Sequence, residues 1–175
     1  TITSIDITGT TGLVSLVGNT LTYNPNGQFE SLAGGATTTD SFDYTISDGN
    51  GGTSTATATI TITGENDAPS TAAPAAIGVT EDTASDLTGI SFSDIDNASG
   101  TVSAYANKGT LAATSTGSVT VGGSGTSGDP LTLSGTIADI NTFIANGNLN
   151  YTTVNNDTTN STLTISINDG SVSSG

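Results

Sequence analysis

One stretch limits what this chain can fold into more than any other: residues 53–69, TSTATATITITGENDAP. Ala56, Ala58, Ile60 and Ile62 fall on one face, and Thr55, Thr57, Thr59, Thr61 and Thr63 on the other. That alternation is the signature of a half-buried antiparallel strand. Glu65, Asn66 and Asp67 follow at once, then Ala68 and Pro69. Proline has no amide to give a sheet ladder and pushes the residue before it toward extended geometry. A strand therefore ends, three oxygen-bearing side chains come in a row, and a stiff exit begins. We read this as the seam between two β-modules, 1–66 and 67–175, with a cation site built into it.

The rest of the chain alternates in the same way. Residues 13–17 and 21–23 flank Gly18-Asn19, a hairpin signal. Residues 40–48 predict a strand with Phe42, Tyr44 and Ile46 facing inwards, and Gly49-Asn50-Gly51-Gly52 turns the chain back. Residues 90–92, 101–105, 109–111, 119–121, 131–133, 149–151 and 163–167 read as short strands separated by glycine-rich turns, with Val102 and Ala104 inward. One segment breaks the pattern. Ile137, Ile140 and Ile144 are spaced by three and four, Thr136 is a suitable cap and Gly147 a suitable stop, which predicts a short helix near 137–145. Tyr23, Tyr44 and Tyr151 sit at strand positions expected in the core, and Lys108 is expected in a solvated loop.

There is also an internal repeat. Leu21-Thr22-Tyr23 matches Leu149-Asn150-Tyr151, and Tyr44-Thr45-Ile46-Ser47-Asp48-Gly49 matches Ile165-Ser166-Ile167-Asn168-Asp169-Gly170. The expectation is of antiparallel β-sandwich units of roughly 100 residues each. The first copy is expected to lack its opening strands and the second its last one, as in a segment of a longer array.

Charge narrows the partners. One Lys+Arg faces 16 Asp+Glu, for a net charge of −15. Nucleic acid and anionic membrane surfaces need a basic patch, so both are poor partners, whereas divalent cations are good ones. No apolar run approaches the roughly 20 residues of a membrane helix, so direct membrane insertion is not expected. With no His and no Cys, the usual triads and thiol nucleophiles are missing, and no catalytic residue is predicted.

The strand ending in Asp48-Gly49, the return strand and the Glu65-Asn66-Asp67-Ala68-Pro69 junction resemble the cadherin-like and related immunoglobulin-like repeats of very large bacterial surface proteins, including the stalks of calcium-dependent RTX-type adhesins. Glu81-Asp82-Thr83 and Asp94-Ile95-Asp96 are similar to that family's acidic signatures. The resemblance implies an all-β chain of tandem immunoglobulin-like antiparallel sandwiches. It further implies Ca²⁺ at the module junction, held by Glu65, Asn66, Asp67, Asp94, Asp96 and Asp169. Asp48 would serve a junction before Thr1, and Glu81 one after Gly175. The implied role is a structural or adhesive repeat on the bacterial cell surface, stiffened by calcium and in contact with neighbouring modules of the same or like chains. The rival reading is a subunit of a self-assembling extracellular filament or surface layer.

Independently of the family, calcium wants about six to eight oxygens, and a sandwich would bring these separated carboxylates to one pole. Asp94-Ile95-Asp96 does not open an EF-hand: the fifth position is Ala98, the sixth is not Gly, and the twelfth is Tyr105. For Asp48 and Asp169, turn chemistry at Asp-Gly stands level with metal binding.

Overall fold

The computed structural model describes residues 1–171, which fall into two compact units, 1–66 and a second beginning at Asp67. In the first, β1 (Ile2–Asp6), β4 (Thr37–Ser47) and β5 (Thr53–Thr63) form an antiparallel sheet in the order β1-β4-β5, while β2 (Leu13–Val17) and β3 (Thr20–Asn24) pair as a hairpin. β4 and β5 stay in register from Thr37 opposite Thr63 to Ser47 opposite Thr53. The predicted alternation of β5 holds, but burial is graded along it: Ile62 is buried, Ala58 and Ile60 are half-buried, and Ala56 is exposed. The expectation for β4 is corrected at one end. Phe42 is buried and Tyr44 half-buried, yet Ile46 is exposed. Periodicity assigns a side chain to a face; it does not say how far along the strand that face is covered.

An acidic residue organises this small core. Asp40 shares the inner face of β4 with Phe42 and is only 7 % exposed. Its carboxylate accepts hydrogen bonds from the Thr11 amide (3.0 Å), the Gly12 amide (2.8 Å), the Ser41 amide (2.9 Å) and the Tyr23 hydroxyl (2.7 Å). The entry to β2, the strand β3 and the sheet are thereby tied to one group. Gly12 is required by the closeness of the packing, since a Cβ there would collide with the Tyr23 hydroxyl oxygen. The amide of Gly12 and the other donors hold the Asp40 carboxyl down at about 2, against its burial. Burial, together with the Asp40 carboxylate, pushes the Tyr23 hydroxyl up to about 12.

The second unit is larger and better filled. β6 (Ser70–Ala72) pairs with β8 (Ser91–Ser93); β7 (Ser85–Asp86), β10 (Thr110–Ala113) and β13 (Leu149–Thr152) form a sheet in the order β10-β13-β7. β9 (Ser99–Ala106), β11 (Thr120–Gly122), β12 (Leu131–Thr136) and β14 (Leu163–Asn168) form another, in the order β11-β12-β9-β14. One continuous core joins Val102, Ala104 and Leu133 of the larger sheet to Leu111, Leu149 and Tyr151 of the other. This is the expected all-β sandwich.

The single interruption is α1 (Ile137–Ala145), where the isoleucine spacing predicts it. The Thr136 side chain accepts from the Asp139 amide, and Gly147 follows at φ 74. Ile137, Ile140, Phe143 and Ile144 are buried. Lys108 differs from expectation: its ammonium pairs with Asp157 at 2.8 Å and also donates to the Thr159 hydroxyl. That pairing holds the Asp157 carboxyl well below the usual range.

Two measurements check this packing. Ile144 is fully buried, so Ile144→Ala should lower the stability of the second unit by about 2–5 kcal/mol in chemical denaturation. For the first unit, a carboxyl depressed in the folded state stabilises above its unfolded value of about 3.9, and that contribution disappears as pH falls toward about 2. In Asp40→Asn the loss of stability over that acid window should be shallower than in the parent chain, with lower stability at neutral pH.

Candidate metal centre

The loop after β8 carries Asp94 and Asp96, and α1 clamps it on both sides. The Asn141 side chain pairs with the backbone of Phe92, accepting from its N–H at 2.9 Å and donating to its carbonyl at 2.8 Å. Beyond the loop, the Ile137 N–H donates to the Ala98 carbonyl at 2.8 Å. The helix that fills the core thus also fixes where the two acidic residues stand.

Within the loop, Asp94 Oδ1 accepts from the amides of Asp96 (3.2 Å) and Asn97 (3.1 Å), closing a tight Asx-type turn. Asp96 Oδ2 accepts from the Asp67 amide at 3.2 Å. The remaining oxygens, Asp94 Oδ2 and Asp96 Oδ1, are shielded from solvent and have no hydrogen-bond partner. The two carboxyl groups lie within hydrogen-bonding reach of each other, but as carboxylates both only accept, so neither satisfies the other. Burial, and then the Asp94 carboxyl alongside, push the Asp96 carboxyl up. Two half-buried like charges held together in this way ask for a proton or a cation.

Other residues converge on the same loop. Asn97 Nδ2 lies 3.5 Å from both Asp169 Oδ2 and Ser171 Oγ, and Asp169 Oδ1 accepts from the Ser171 amide at 2.8 Å. Asp67, Asp94, Asp96, Asn97 and Asp169, drawn from three separate stretches of the chain, therefore meet in the second unit. Among the described residues no three Asp or Glu side chains are gathered into one metal-binding group. The Asp94–Asp96 pair is the charged centre, and amide, carbonyl or water oxygens would have to complete a calcium shell.

The other candidates stand elsewhere. Glu65 and Asn66 close the first unit, Glu65 exposed and Asn66 half-buried against Gly34. Asp48 lies in the exposed β4–β5 turn, where its Oδ1 accepts from the amides of Asn50 (2.8 Å) and Gly52 (2.9 Å). Glu81 is exposed and borders a cleft lined by residues 73–79 and the approach to β14. Asn97 and Asn141 were not singled out from the sequence. An Asn inside a helix, flanked by the isoleucine stripe, was the available signal for Asn141.

Asp96→Asn removes one of the two facing charges. Any divalent cation bound by the loop should then bind at least about tenfold more weakly, a penalty that even outer-shell changes reach, as read by calorimetric titration. Asn141→Leu should weaken binding too, while leaving both carboxylates in the sequence.

No curated protein and no solved structure matches the chain. Residues 1–61, a span confined to the first unit and ending within β5, match the sequence model of the bacterial Ig domain family, so that the first unit is similar to an immunoglobulin-like structural repeat.

Proposed function

We infer that the chain is a structural or adhesive repeat of an extracellular bacterial surface protein, stiffened by calcium where its two units join. One observation carries the cation: the buried, unpartnered oxygens of Asp94 and Asp96. A monovalent ion or a proton relieves the repulsion in part; a divalent cation that accepts carboxylate and carbonyl oxygens together relieves it fully. Mg²⁺ suits the loop less well, because it keeps its waters and demands near-octahedral geometry. The net charge of −15 favours cations generally. Asp67 supplies the mechanical link. It is the first residue of the second unit and follows Glu65 and Asn66 directly in the chain, and its amide is bonded to Asp96. An ion on this loop would therefore restrain the peptide at which one unit gives way to the next. Calcium is scarce inside cells and abundant outside, so such a repeat would stiffen on export.

Thermal melts with about 1 mM calcium and with a chelator, a concentration suited to extracellular calcium modules, check this reading. Calcium should raise the melting temperature of the parent chain and leave Asp96→Asn unmoved. Small-angle scattering should give a greater maximum dimension with calcium than with chelator. Identical melts and identical dimensions in the two conditions would rule the reading out.

A further inference from the structure

The loop between β11 and β12 contains the only Asp-Pro pair in the chain, Asp129-Pro130. An Asp-Pro link is the weakest kind of peptide bond toward its own side chain. The Asp carboxylate can reach its own carbonyl carbon by closing a cyclic anhydride, and the proline nitrogen leaves readily once protonated.

The surroundings of this bond are specific. The Asp129 carbonyl oxygen accepts from the Ser124 N–H at 3.2 Å, the Thr126 N–H at 3.1 Å and the Ser124 hydroxyl at 3.2 Å. Three donors on one neutral carbonyl exceed its two lone pairs. They do suit an oxygen that takes on negative charge when its carbon is attacked, which is how an oxyanion hole works. The Asp129 amide is also held, donating to the Thr126 carbonyl at 3.2 Å and to the Thr126 hydroxyl at 3.2 Å. Close winding of the loop brings these groups together. Gly123 sits at φ 71, and a Cβ there would collide with the Pro130 carbonyl oxygen. Asp129 itself is exposed, so water reaches it.

We propose that the Asp129–Pro130 bond is a self-cleavage site, with the Ser124 and Thr126 donors stabilising the oxyanion. A carboxylate oxygen of Asp129 bonds to its own carbonyl carbon, and the carbonyl electron pair moves onto the oxygen that the three donors hold. Return of that pair breaks the carbon–nitrogen bond. The Pro130 nitrogen takes a proton from solvent and leaves as a secondary amine. Water then opens the anhydride. One water is consumed, Asp129 ends one piece and Pro130 begins the other. β11 and β12 are paired from Thr120 opposite Ser134 to Gly122 opposite Thr132, so the product is a nicked unit whose pieces remain joined by the sheet. None of these groups belongs to the acidic loop, so the site owes nothing to the cation.

The test sets the purified 175-residue chain beside a capped peptide of residues 127–132, which has the same bond but lacks Ser124 and Thr126. Both are incubated in one mildly acidic buffer in which circular dichroism shows the chain folded. Mass spectrometry should find one fragment ending at Asp129 and another beginning at Pro130. They should form at least about tenfold faster in the chain than in the peptide, a modest gain beside what a single oxyanion-hole donor is worth in enzymes. Ser124→Ala should lose most of that acceleration, and Asp129→Ala should not be cut at this bond. A chain cut no faster than the peptide, a cut that persists in Asp129→Ala, or an unchanged rate in Ser124→Ala would overturn the proposal. The ratio of chain to peptide decides the matter even if a variant fails to fold.

Discussion

Two carboxylates that would separate in water are kept together by a helix. Asn141 seizes the backbone of Phe92 before the acidic loop, and the first amide of α1 seizes the Ala98 carbonyl after it. Between those anchors Asp94 and Asp96 have little room to move apart. The isoleucine and phenylalanine face that buries α1 in the core makes the anchors rigid. Hydrophobic packing thus holds an electrostatically unfavourable pair in place, and in the proposed function that pair is what a cation would relieve.

The first unit makes the contrast plain. Asp40 is more deeply buried than either loop residue, yet three backbone amides and a tyrosine hydroxyl serve its carboxylate, which stays ionised easily. Asp96 has the Asp67 amide on one oxygen and nothing on the other, and its proton is held more tightly than usual. A satisfied buried carboxylate is a structural fastening. An unsatisfied one beside a second carboxylate is a candidate site.

Much of this was legible in the sequence, and the reasons for the rest are physical. Strict alternation revealed β5, and three-and-four spacing revealed α1 with its Thr136 cap. Those patterns are local, and so is the chemistry that reads them. The same alternation gave Ile46 an inner position that is in fact exposed, because coverage of a face depends on what packs over it from far along the chain. Asp40 could have been noticed as an acid on the inner face of β4, opposite in character to Phe42 beside it. Its donors, Thr11, Gly12 and Tyr23, lie well upstream, and no spacing rule connects them. Lys108 was read as a solvated loop residue for the same reason, its partner Asp157 being distant in sequence. In the acidic loop, residue type and clustering pointed to Asp67, Asp94 and Asp96. The turn bonds, the clamp and the orphaned oxygens required coordinates.

The account depends on what lies between Asp94 Oδ2 and Asp96 Oδ1, and a high-resolution crystal structure of the chain grown with calcium measures it directly. We expect one ion within about 2.3–2.6 Å of both oxygens, the usual calcium–oxygen distance, with carbonyl, amide or water oxygens completing its shell. Finding the two oxygens in direct contact across a shared proton, with no cation beside them at neutral pH and saturating calcium, would contradict it.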